Sequence, residues 1–161
     1  GWPMSFFILL RGSEVGWPFA ATPWWVLPRG VWWLLVVLFG VWGSDTGAFF
    51  TGRLLGRHKL APRISPGKTW EGVGGGLVLG TIATVLFSRP LGIPWYLSVV
   101  LGIVISIVAV VGDLAESLIK RQTHVKDSGQ IMPGHGGMLD RIDSLLFAVI
   151  VVYFFSLIVG K

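Results

Sequence analysis

Long apolar runs alternate with short polar intervals along this chain. Trp2 to Leu10 is a short apolar run. Arg11 to Arg29 follows as a loop with glycine, proline and three tryptophans, a composition found at membrane interfaces. Longer runs cover Val31 to Phe49, Gly72 to Phe87, Trp95 to Ile119 and Ser144 to Val159, with a turn over Ser88 to Pro94. They are too long and too continuous for barrel strands, which alternate. Lipid offers the backbone no hydrogen-bond partner, so such runs must be helices. The pattern predicts an all-α fold: one domain over residues 1–161, a polytopic integral membrane helical bundle with about four to five transmembrane helices. Gly72, Gly76 and Gly80, four apart, line one helix face and predict close backbone packing.

Composition agrees. The chain is 53% hydrophobic and 13% charged, where a soluble domain carries about a quarter charged residues. Mean hydropathy is +0.73. Without cysteine, disulfides, thiolate chemistry and cysteine metal sites are excluded. Gly1 opens the chain with neither a basic n-region nor a cleavage site, so no signal peptide is expected, and the missing initiating Met suggests a fragment. The net charge of +5 points to orientation and anionic partners, not to nucleic acid.

The cations set a topology. Arg53, Arg57, Lys59, Arg63 and Lys68 fall between the first two long runs, and Lys120, Arg121, Lys126 and Arg141 before the last. Only Arg11, Arg29, Arg89 and Lys161 fall elsewhere, so both basic loops are expected in the cytoplasm, with the C-terminus on the opposite side. Of the acids, all but Glu14 lie in or beside those loops. Asp45 and Asp113 sit in apolar helices, where a carboxylate costs a few kcal/mol and needs a partner or water. A helix-pinning ion pair and a functional role are equally good readings of Asp45 alone.

Asp113, Glu116, Ser117 and Lys120 share one helix face, and Asp140 and Asp143 share another. Oxygen-only donors of this kind suit a hard cation such as Mg²⁺, and zinc is disfavoured. Asp140 could instead be a helix cap, as could Asp143 or Ser144. Ahead of them, "PGHGGMLD" (Pro133 to Asp140) supplies Gly136 and Gly137, which let backbone approach a ligand, and His135, the histidine expected to contact substrate. His58 and His124 are expected to be solvated. "SPGKTWEG" (Ser65 to Gly72) is not a Walker A loop, because the required glycine is replaced by Pro62 and no strand is expected before it. Lys68, Ser65 and Thr69 remain candidates for holding phosphate. Cations with a carboxylate cluster at a membrane face favour phosphoryl or nucleotidyl transfer. An ion-coupled membrane transporter fragment is the alternative, but the acids gather at one face and no inverted repeat is visible.

"SLIKRQTHVKDSGQIMPGHGGMLDRIDS" (Ser117 to Ser144) resembles the signature of the CDP-diacylglycerol synthases, or phosphatidate cytidylyltransferases. Its pattern is Ser-x-x-Lys-Arg, four residues, Lys-Asp-x-Gly, then His-Gly-Gly-x-x-Asp-Arg-x-Asp, and every fixed position is present. "WGSDTGAFFTGRLLGRHKLAPRISPGKTWEG" (Trp42 to Gly72) is similar to the family's upstream block. The resemblance runs from about Val31 onward and implies the C-terminal catalytic part of a longer fold. It implies a multi-pass enzyme of the bacterial inner membrane, active on the cytoplasmic side, joining CTP and phosphatidate into CDP-diacylglycerol and diphosphate. Mg²⁺ is the implied cofactor, with a second, K⁺-like cation. The implied metal ligands are Asp113, Asp140 and Asp143; Lys120, Lys126 and Asp127 join them as catalytic residues. Asp45, Ser65, Lys68, Thr69, Arg121, His135, Gly136, Gly137 and Arg141 are the implied substrate contacts. Beyond the bilayer, a second copy of the chain is the candidate protein partner.

Overall fold

The computed structural model describes residues 2–12, 27–62, 64–122 and 139–159, without the side chains of residues 2, 3, 120, 122 and 139–143. Five helices carry the fold: α1 (Trp2–Arg11), α2 (Arg29–Leu55), α3 (Trp70–Ser88), α4 (Trp95–Gln122) and α5 (Leu139–Val159). Between α2 and α3 stand two short strands, β1 (Lys59–Ala61) and β2 (Ser65–Thr69). The all-α bundle is therefore as expected, with one small hairpin added. Among the described helices, Arg29–Leu55, Trp70–Leu91 and Trp95–Ile119 are long and apolar enough to cross a membrane, and Ser144–Val159 is a shorter apolar stretch.

Local chemistry sets the ends. The Thr69 hydroxyl caps α3 by accepting from Gly72 N at 3.1 Å, which satisfies one of the orphan donors of the first turn. After α3, Arg89–Leu91 forms a single 3₁₀ turn. Gly92 closes it at φ 71, a left-handed conformation that glycine takes without penalty. Pro94 O then accepts from Leu97 N and Ser98 N and starts α4.

Glycines set how the helices meet. A Cβ on Gly40 would lie 2.8 Å from Thr84 Oγ1, and one on Gly43 3.0 Å from Ala83 Cβ. One on Gly52 would lie 3.0 Å from Thr69 Oγ1 and 3.5 Å from Gly72 Cα. The pairing descends in register, so α2 and α3 are antiparallel. Along α3 and α4, Gly102 lies against Thr81 and Thr84, and Ser88 Oγ donates to Ser98 Oγ at 2.8 Å, again antiparallel. The three helices converge at Gly80. A Cβ there would clash with Ser106 Oγ and sit 3.0 Å from Ser44 Cβ and 3.1 Å from Gly40 O. The expected glycine face is thus a real contact surface, with Gly72, Gly76 and Gly80 all buried. Val36, Val37, Ile105, Val149 and Val152 are fully buried in the hydrophobic core that α2, α4 and α5 share. Large apolar side chains such as Val78, Leu86, Ile107 and Ile158 face outward, as lipid contact requires.

Gly80→Val should destabilise the bundle by about 1–3 kcal/mol, the usual cost of overpacking. Gly74, where a Cβ meets nothing within 4 Å, should tolerate alanine with a gain of about 0.5–1 kcal/mol. Unfolding in mixed detergent–SDS micelles measures both, and equal responses would contradict the crossing described above.

Candidate functional site: a polar pocket at one end of the bundle

The hairpin is built first from its own backbone. Lys59 pairs with Thr69 and Ala61 with Ser65, with an irregularity between the two pairs. Trp70 N donates to His58 O at 3.0 Å and Ile64 N to Ala61 O at 3.1 Å. Side chains then fasten it to the helices. His58 Nδ1 lies 2.7 Å from Glu71 Oε1, and His58 N donates to the same carboxylate at 3.3 Å. Arg121 Nε, on α4, donates to Ile64 O at 3.3 Å. His58 is exposed, as expected of a solvated residue, but it has a partner that sequence reading missed. Ser65–Thr69 is a strand and not the loop expected there. The Walker A reading still fails, because Pro62 still stands in the glycine position.

Lys68 reaches from β2 to α4. Its Nζ lies 2.5 Å from Asp113 Oδ2 and 3.4 Å from Val110 O, to which it donates. The Lys68 side chain is 20% exposed and that of Asp113 44%. A pair this open to solvent is worth about 0–1 kcal/mol, so it orients the two groups more than it stabilises the fold. Both line a pocket of about 270 Å³. Asp45 from α2 and Thr69 add polar groups to it, while Phe49, Val73 and Val110 form apolar wall. Its carboxylate, hydroxyl and ammonium groups meet beside hydrocarbon, an arrangement that can hold the phosphate end of an amphipathic molecule.

The structure thus brings Asp45, Lys68, Thr69 and Asp113 together. Ser65 sits at the far end of the strand pair, opposite Ala61. Arg121 is exposed and is used on the hairpin. Gly112 packs on the start of α5: a Cβ there would lie 3.4 Å from Ser144 Cα and 2.9 Å from Phe147 Cδ2. Asp140 and Asp143 belong to the helical turn just before Ser144, whose Cα lies against Gly112, the neighbour of Asp113 on α4. None of Asp140, Asp143 and Ser144 is the cap, since α5 already begins at Leu139. The side chains of Lys120, Asp140, Arg141 and Asp143 lie outside the described residues, as do Lys126, Asp127, His135, Gly136 and Gly137 altogether. Among the described residues, no three His, Cys, Asp or Glu side chains cluster as a metal site.

Fold and pocket together define a class: a polytopic helical membrane protein with carboxylates from two helices and a lysine gathered in one pocket. A family model described as the cytidylyltransferase family matches residues 3–159, and the chain belongs to that family. It is 45% identical over 155 residues to the phosphatidate cytidylyltransferase of Brucella suis biovar 1 (strain 1330), covering 95% of this chain and 52% of that protein. It is 46% identical over 116 residues to the protein of the same name from Bacillus subtilis (strain 168), covering 71% and 43%. The chain spans about half the length of the curated relatives it matches. One solved structure, an intramembrane enzyme for archaeal membrane lipid biosynthesis, matches with a TM-score of 0.58 at 24% identity. That match covers 76% of this chain and 77% of the other, and shows a shared fold.

Thr69→Ala should cost about 1 kcal/mol through loss of the α3 cap, and Thr69→Ser should restore most of it. Denaturation in mixed micelles reads the difference; a serine variant as weak as the alanine one would contradict the capping role.

Proposed function

We propose that this chain carries the catalytic part of a phosphatidate cytidylyltransferase, which transfers CMP from CTP to phosphatidate and releases diphosphate. The observation that carries the reading is the convergence of Lys68, Asp45, Thr69 and Asp113 in one pocket with an apolar wall. A lipid phosphate must bring its charge to the membrane edge while its acyl chains stay in hydrocarbon, and such a pocket suits both needs. The names of relatives at 45–46% identity support the same substrates.

In the proposed reaction, a phosphatidate phosphate oxygen attacks the α-phosphorus of CTP. One P–O bond forms to that phosphorus, and the bond to the bridging oxygen of the diphosphate breaks. The diphosphate leaves with the electron pair. The nucleophile is already an anion, so no strong general base is needed. Catalysis rests on positioning and charge compensation. Lys68 would supply a point charge to the phosphates and Thr69 a hydroxyl. Lys120, Arg121, Lys126, His135 and Arg141 are further proposed phosphate contacts, with Gly136 and Gly137 leaving room for close approach.

Mg²⁺ is the proposed cation, with a second, K⁺-like ion beside it. The pocket's donor set fits a hard cation: among the described residues its possible ligands are oxygens, with no imidazole or sulfur. Asp113 already holds one cationic group, the Lys68 ammonium. Asp113, Asp140 and Asp143 are the proposed ligands, and Asp127 is a further proposed catalytic residue. When bound, Mg²⁺ supplies charge neutralisation on the transferring phosphate groups. The pocket is proposed to face the cytoplasm, because Lys68 of the basic hairpin lines it and basic segments are retained on that side. A homodimer belongs to the same proposal.

The test uses the protein in lipid vesicles with phosphatidate, Mg²⁺ and radiolabelled CTP. Labelled CDP-diacylglycerol should form, and Asp113→Asn should slow it by at least about 100-fold, the scale of losing a transition-state electrostatic group. No lipid-soluble label from wild type, or an Asp113→Asn variant as fast as wild type, would overturn the reading.

A further inference from the structure

Asp113 has its cation supplied from inside the chain. The Lys68 ammonium sits against Oδ2, and the same group donates to Val110 O at 3.4 Å. The carboxylate is still 44% exposed, so an incoming ion can reach it from the pocket. Lys68 is carried on β2 beside Gly67, around which a Cβ would meet nothing within 4 Å. The pocket beside it offers about 270 Å³, into which the flexible four-carbon stem can swing. An ammonium in contact with Asp113 Oδ2 opposes a divalent cation at the same carboxylate, because the two positive charges repel at that range.

We propose that Lys68 is a stand-in cation for Asp113. A divalent metal ion binds by displacing it, and the freed ammonium turns to an anionic phosphate ligand in the same pocket. Metal and polyphosphate then bind cooperatively, because each removes a cost that the other would meet alone. Without the phosphate, displacing Lys68 leaves an ammonium without its carboxylate. Without the metal, the phosphate must compete with Asp113 for Lys68. Linkage makes the coupling reciprocal. The identity of the anion as a nucleoside triphosphate rests on the function proposed above; the displacement at Asp113 does not.

The test measures Mn²⁺ binding by electron paramagnetic resonance, with no nucleotide, on the protein in nanodiscs. Lys68→Met should bind Mn²⁺ about two- to fivefold more tightly than wild type, the scale on which a solvent-open ion pair competes. Lys68→Arg, which keeps a cation on Asp113, should stay near wild type. Lys59→Met removes a cation from the same hairpin away from the pocket and should also stay near wild type. Lys68→Gln serves as a second neutral variant if Lys68→Met does not fold. A lysine that only held the hairpin in place would leave Mn²⁺ affinity unchanged or lower it when removed. Unchanged or weaker Mn²⁺ binding in the neutral variants, or no binding in any of them, overturns the proposal. A second arm measures radiolabelled CTP binding at saturating Mn²⁺. Wild type should bind at least about tenfold more tightly than Lys68→Met. If wild type binds no CTP while the Mn²⁺ result holds, the nucleotide reading falls and the displacement stands.

Discussion

At Gly80 three helices meet with no room for a side chain. The atoms around that point are Ser44 and Gly40 of α2 and Ser106 of α4, all small or backbone. In lipid there is no hydrophobic drive to press helices together, so association depends on close van der Waals contact between such surfaces. The consequence is felt two turns away along α4. Because α2 and α4 are both drawn against α3, Asp45 and Asp113 come to line the same pocket. A larger residue at the crossing would spread the helices and separate these carboxylates as well as loosen the core.

The hairpin uses the same frame differently. It bridges the end of α2 and the start of α3, and its β2 strand runs directly into the Thr69 cap. That leaves Lys68, one residue earlier, at the mouth of the pocket and in contact with α4. His58 and Glu71 close the hairpin on one side, and Arg121 ties it down on the other. Charged groups thus concentrate where helix ends give way to water, and the apolar spans carry few. Such a layout follows from the cost of charge in hydrocarbon, and it also suits the proposed reaction on a lipid phosphate.

The helices were legible because an apolar run long enough to span lipid has one backbone solution. Their ends were less so. α2 continues past Phe49 to Leu55, through polar Thr51 and Arg53, because hydrogen bonding within a helix does not stop at the hydrocarbon edge. Asp45 and Asp113 stood out as carboxylates in apolar surroundings. The hairpin did not stand out: Lys59–Ala61 is three residues long, too short for alternation to show. The pairing of Lys68 with Asp113 was invisible as well. The two lie far apart in the chain, and only the helix register brings them together. Thr69 was read as a phosphate donor; its cap to Gly72 could have been read from a threonine standing just before a helical run with an acid in its first turn.

In the proposed reaction the pocket between the hairpin, α2, α3 and α4 holds the phosphates of CTP beside that of the lipid. The chain has no cysteine, so single cysteines report on single places. A cysteine replacing Val73, in the pocket wall, and one replacing Ile82, in the groove on another face of α3, can be alkylated with a maleimide in the presence and absence of CTP and Mn²⁺. CTP with Mn²⁺ should slow alkylation at position 73 and leave position 82 unchanged. Equal alkylation at position 73 with and without the nucleotide, under conditions where CTP is bound, would contradict the account.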